Sequence, residues 1–112
     1  MTVTERPVGS VTILDISGSV TLNDGADQLR EKVKAVLGQG VKRLLVNLDK
    51  VSYMDSAGLG ELVQAFSTAK KSGGSLKLVN PTKRLTDLLV ITKLATVFES
   101  FDDENAAVAS FG

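Results

Sequence analysis

The sequence contains no cysteine and no histidine. Without cysteine, neither a disulfide framework nor a thiolate site can form. Without histidine, the commonest general base and the commonest metal ligand are both missing. Most enzyme chemistries are weakened by these two absences, and a protein with no catalysis of its own, no cofactor and no bound metal is expected. Net charge is missing as well: thirteen Lys and Arg balance thirteen Asp and Glu. Nothing therefore supplies the long-range field by which a protein attracts nucleic-acid phosphate. No stretch approaches the roughly 20 apolar residues needed to cross a bilayer, and the N-terminal "MTVTERPVGS" lacks the basic segment and apolar run of a secretory signal. Nucleic-acid binding and membrane insertion are disfavoured, and a cytoplasmic location is expected. Repeats, low-complexity tracts and Pro-rich linkers are also absent.

What is present suits one globular unit. Hydrophobic residues make up 43% and charged residues 23% of 112 positions, a balance and length that fit a single domain, 1–112, with a modest core. "VTILDIS", Val11–Ser17, places Val11, Ile13 and Ile16 among small or polar residues, and Val3 and Val8 indicate a partner strand before a turn at Gly9-Ser10. From Asp24 the step changes: Ala26, Leu29, Val33, Val36 and Leu37 recur at helical spacing until Gly38 and Gly40. "RLLVNL", Arg43–Leu48, has the profile of a strand buried on both faces, bounded downstream by Asp49-Lys50 and a loop.

A second helix is expected over Ala57–Lys71, with Leu59, Leu62, Val63, Phe66 and Ala69 inward. "SLKLV", Ser75–Val79, reads as a strand, followed by a helix after Pro81 whose apolar face holds Leu85, Leu88, Leu89 and Ile91. A short strand around Thr96–Glu99 and a last helix with Ala106, Ala107 and Phe111 inward complete the order. Alternating strands and helices predict an α/β fold: a small, mainly parallel mixed sheet with an N-terminal antiparallel pair and about four helices.

The stretch "SYMDSAGLGEL", Ser52–Leu62, stands out. Asp55 and Ser56 sit where the second helix starts, and either side chain can cap it by accepting a hydrogen bond from a free N–H one turn in. Gly58 and Gly60 are harder to explain, because a glycine inside a helix costs about 1 kcal/mol relative to alanine. Close packing on the sheet accounts for one; two suggest that something else approaches the backbone. A helix start after a parallel strand is where open α/β sheets place ligands. A serine there could carry a phosphate, whose added charge of about −1.5 to −2 the helix dipole tolerates while a docked partner would not. A nucleophile elbow centred on Ser56 would need glycine at Met54 and a histidine elsewhere. A dinucleotide fingerprint through Gly58 and Gly60 would need a small residue at Val63.

"LLVNLDKVSYMDSAGLGEL" resembles the strand, loop and helix start of STAS domains, in particular the bacterial anti-sigma factor antagonists. "GADQLREKV" resembles the family's first helix, "SGGSLKLVNPTKRLTDLLVITKL" its next strand and third helix, and "TVFESFDDENAAV" its C-terminal end, so nearly the whole chain is covered. The resemblance implies a protein that binds an anti-sigma factor, usually a serine kinase with the ATPase fold shared by gyrase and histidine kinases, and so frees a sigma factor. It implies phosphorylation of the serine after the motif aspartate, here Ser56, which ends binding, and a metal-dependent serine phosphatase that restores it. The partner-binding residues so implied are Asp55, Ser56, Ala57, Gly58, Leu59 and Gly60, with Asp24 in the preceding turn.

Two positions depart from the pattern. Relatives often carry an acidic pair in a "GELD"-like turn, where this chain has "GSVTLNDG" with Asp24 as its first acid and a loop one residue longer; whether Asp24 takes over that contact is left open. Ala57 stands where many relatives have a second hydroxyl, leaving Ser56 the only acceptor in the motif. Two other uses compete with this reading. One is a regulatory subunit of a transporter or signalling scaffold; the other is a nucleotide- or anion-binding module, against which stands the lack of any basic residue between Val51 and Ser67. The sequence names no sigma factor, kinase or signal, and carries no indication of oligomeric state.

Overall fold

Neighbouring residues along each central strand point to opposite sides, and in this computed structural model, which describes residues 1–112, both sides are covered. Strand β1 (Thr2–Val8) turns through Gly9, at φ 60°, into an antiparallel β2 (Val11–Val20). Strands β3 (Arg43–Met54), β4 (Ser75–Val79) and β5 (Ser100–Phe101) then add in parallel, giving the order β1-β2-β3-β4-β5. Helices α1 (Ala26–Gly38), α2 (Ser56–Lys71) and α3 (Lys83–Ile91) form the crossovers, and α4 (Glu104–Ala109) closes the chain. The expected mixed sheet with its antiparallel pair and four helices is the observed fold.

One core gathers Leu14, Leu44, Val46 and Leu78 from the sheet against Leu29, Val33, Leu62 and Leu85 of the first three helices. Phe66 joins it edge-on to Phe98, their ring centres 5.3 Å apart. The opposite face is smaller: Val11, Ile13, Leu45 and Val79 meet Ala107 of α4, with Val108 and Phe111 packed at its margin.

Four expectations are corrected. Strand β3 does not stop at Leu48 but continues to Met54, so no loop separates it from the second helix. The cause lies in β2, which runs on to Val20 and supplies partners, Ser17 for Lys50 through Val20 for Met54. Two register shifts interrupt this ladder, and burial along β3 falls on Leu48, Val51 and Met54, every third residue rather than every second. A search for alternation passes over such a pattern; Gly18, at φ 89°, takes the left-handed conformation that the bulge requires. The last strand is Ser100–Phe101, opposite Leu78 and Val79, not Thr96–Glu99, because the chain spends those residues on a turn that buries Phe98. Ile91 is 77% exposed, since α3 rests on the i, i+4 pair Leu85 and Leu89 and Ile91, two residues beyond Leu89, falls on the helix face turned away from the core. Ala106 is exposed for a similar reason: the short α4 buries only Ala107.

A polar network anchors α4. Arg6 on β1 donates from Nε and a terminal nitrogen to Asp15 on β2, at 2.9 and 3.0 Å, and to both carboxylate oxygens of Glu104 in the first turn of α4, at 3.0 and 2.8 Å. Asn47 on β3 donates to Asp15 at 2.8 Å. Hydrogen bonds from Arg6 hold both carboxyls below their ordinary range. A depressed carboxyl contributes stability above its unfolded pKa and loses it as pH falls through the folded value. Urea midpoints measured from about pH 7 down to about pH 3 are therefore expected to fall less steeply in Arg6→Met than in the wild type; parallel curves would remove this network from the acid response.

Candidate functional site

The site lies where β3 hands over to α2. Asp55 is the single residue between them, extended at φ −95° and ψ −174°, and it caps the helix: its Oδ1 accepts from the Gly58 N–H at 2.9 Å. Its Oδ2 accepts from the Leu22 N–H at 3.0 Å, in the turn between β2 and α1. Its main chain is engaged too, the N–H donating to Val20 at 3.3 Å and the carbonyl accepting from Leu59 at 2.9 Å. The Gly58 N–H, then the Leu22 N–H, hold its carboxyl below the usual range, so it is an anion across the working pH range.

Because Asp55 takes the capping position, Ser56 does not. It is the first residue of α2, it is exposed, and its hydroxyl makes no hydrogen bond. The two candidate caps are thus separated by one residue and by role. Ala57 is half-buried beside it, whereas Gly58 and Leu59 lie beneath the surface, Leu59 only 6% exposed within the main core.

The two glycines have different explanations. A Cβ on Gly58 would sit 2.1 Å from the Val20 carbonyl oxygen and 2.9 Å from Met54 Cγ, so α2 meets the end of β2 at a distance only glycine permits. Its place is explained by packing within the chain rather than by the approach of another molecule. Gly60 is exposed, has no neighbour within 4 Å of where a Cβ would lie, and has no positive φ, so nothing within the chain requires glycine there.

The preceding turn is drawn to the same place. Thr21 and Asp24 exchange backbone hydrogen bonds at 2.7 and 3.2 Å, and the Leu22 N–H is the one that Asp55 holds. Asp24 accepts from the Ser19 hydroxyl at 3.0 Å, and the Met1 amino group lies 3.2 Å from its other oxygen. These two donors, Met1 first, hold the Asp24 carboxyl below its ordinary range. The structure thus gathers Asp24, Asp55, Ser56, Ala57 and Gly60 at one end of the sheet. Sequence reasoning did not single out Leu22, 71% exposed beside them; the signal available was a large apolar residue within the polar run "TLNDG".

The comparisons with known proteins agree with this architecture. The family model described as the STAS domain matches residues 3–107. Over 86 residues the chain is 43% identical to the anti-sigma-B factor antagonist of Bacillus subtilis, covering 77% of each chain. Its fold is similar to that of an anti-sigma factor antagonist from Mycobacterium paratuberculosis, with a TM-score of 0.87 at 21% identity over 98% of this chain and 92% of that one. It is also similar to SpoIIAA, an anti-sigma factor antagonist of Bacillus, in its unphosphorylated form, with a TM-score of 0.82 at 19% identity over 97% and 95% of the chains. SpoIIAA has been solved in a phosphorylated form as well, to which the TM-score is 0.76 over 97% and 98%, again at 19% identity.

The contrast between the glycines is measurable by urea denaturation. Gly58→Ala is expected to lose roughly 1–3 kcal/mol through overpacking against the Val20 carbonyl. Gly60→Ala is expected to gain about 0.5–1 kcal/mol, the helix preference of alanine over glycine.

Proposed function

This chain belongs to the STAS domain family, among the anti-sigma factor antagonists, and we propose that it binds an anti-sigma factor which is also a serine kinase and thereby releases a sigma factor. In this reading the kinase phosphorylates Ser56, the phosphorylated protein lets go, and a serine phosphatase resets it. The partner approaches the end of the sheet that carries Asp24, Asp55, Ser56, Ala57 and Gly60, in the cytoplasm. The anti-sigma-B factor antagonist of Bacillus subtilis, by its name, acts on an anti-sigma factor, and SpoIIAA exists in phosphorylated and unphosphorylated forms.

The observation that carries the proposal is the free hydroxyl of Ser56. Were Ser56 the cap, its oxygen would be committed to a backbone N–H, and phosphorylation would unmake the helix start. With Asp55 doing the capping, phosphate can be added without removing a bond that holds the fold. The helix dipole tolerates a negative charge at this terminus, so the domain keeps its shape. The partner meets a different surface: about −1.5 to −2 charges added next to the carboxylate of Asp55 on an exposed face. Desolvating that charge against a docked protein is costly, and binding is lost without unfolding. Gly60 adds a slot one helical turn beyond Ser56, into which a partner's backbone can settle.

The test uses wild type, Ser56→Ala and Ser56→Asp as baits in lysate of the source cell with ATP, each first shown to keep the wild-type circular dichroism spectrum. Wild type is expected to gain one phosphate, located at Ser56 by mass spectrometry. Ser56→Ala is expected to retain a kinase, and Ser56→Asp to bind it at least about tenfold more weakly. Recovery of the same proteins at the same yield by all three baits overturns the proposal.

A further inference from the structure

An exposed leucine is ordinary when it stands alone on a mobile loop. Leu22 is 71% exposed on a turn that is anything but free. The Thr21 N–H donates to the Asp24 carbonyl at 2.7 Å, the Asp24 N–H returns the bond to Thr21 at 3.2 Å, and the Ala26 N–H reaches the same Thr21 carbonyl at 3.0 Å. The Thr21 hydroxyl accepts from the Asp24 N–H at 3.1 Å, and the Leu22 N–H is held by Asp55 at 3.0 Å. The backbone of Leu22 is thereby fixed before any partner arrives, so binding through this side chain loses little conformational entropy.

The position of Leu22 adds to its rigidity. One carboxylate, Asp55, holds the Leu22 N–H with one oxygen and the start of α2 with the other, and Ser56 is the next residue in the chain. The backbone of Leu22 is therefore held against the residue that precedes Ser56, with its side chain largely exposed. The acid of the same turn is less available for contact, because Asp24 spends one oxygen on the Ser19 hydroxyl. Thr21, Asn23 and Gly25 offer no other apolar group of size.

We propose that Leu22 is the specificity anchor of this surface, inserting into an apolar socket on the same partner protein that approaches Ser56. The proposal rests on the function proposed above and adds what the partner must carry: a dry pocket of leucine size adjoining the place where its kinase centre meets Ser56. A partner with a charged or filled surface at that point fails to seat Leu22 and is rejected. Leu22 thus selects the partner, while Ser56 switches the binding.

Isothermal titration calorimetry with the purified kinase that transfers phosphate to Ser56 tests this directly. Leu22→Ala is expected to weaken binding about tenfold or more, and Leu22→Asp to abolish it, while Leu22→Met stays close to wild type. Thermal midpoints of all three are expected to stay close to the wild type, because Leu22 is largely exposed and lies outside both core clusters. Wild-type affinity in Leu22→Ala, measured beside a Ser56→Asp that no longer binds, overturns the anchor and leaves the switch standing. Undiminished binding by Ser56→Asp overturns the switch instead, and Leu22→Ala then decides the anchor on its own.

Discussion

One carboxylate holds two segments of this protein in place. Asp55 accepts from Gly58 at the start of α2 and from Leu22 in the turn ahead of α1, joining segments 33 residues apart in sequence. Each bond satisfies a backbone donor that would otherwise lack a partner, and the two donors together keep the carboxyl ionised. With Asp55 so engaged, its neighbour is left with nothing structural to do. The free hydroxyl of Ser56 is a consequence of how completely Asp55 is used.

The fold was legible in the sequence wherever burial follows a simple period. Helices α1 and α2 carry their apolar residues at three- and four-residue steps, and the paired core of β3 and β4 reads as short apolar runs. The second half of β3 was not legible, because bulges against β2 replace alternation by a spacing of three. The two-residue β5 has too little sequence to leave a pattern and is defined only by its partners on β4. At the site, the motif Asp55 to Gly60 announced itself, but which residue caps and which glycine packs are questions of distance. Only the fold separates Gly58, pressed on the Val20 carbonyl, from Gly60, where a Cβ would meet open space. Leu22 escaped notice because an apolar residue in a polar turn has no periodicity to belong to.

The two sides of the sheet are held by different means. The side bearing α1, α2 and α3 is a broad apolar core, with charged groups such as Arg30 and Glu61, 3.1 Å apart, confined to its rim. The other side has a small apolar cluster beneath α4 and, next to it, the network of Arg6, Asp15, Asn47 and Glu104. Geometry explains the difference: a helix of six residues with one buried alanine cannot fix its own direction by packing, whereas two forked arginine contacts can. The candidate site draws on the apolar core through Leu59 and Gly58, and adds constraints of its own at the strand ends, where Asp55 holds Gly58 and Leu22.

The unequal strand lengths have a further consequence. Strand β4 pairs with β3 only from Arg43 to Asn47, so the remainder of β3, as far as Met54, runs beside β2 alone. The site thus stands at the tip of a two-stranded cantilever projecting beyond the rest of the sheet. Leu76 and Leu78 of β4 still share the main core with Met54 and Leu59, so it is β5 and α4, packed on the smaller cluster of the opposite face, that can accumulate substitutions without altering the tip. The exposed residues of the tip, in turn, can acquire new specificities without refounding the domain. A lineage of duplicated copies could in this way diverge in whom they address while inheriting one body.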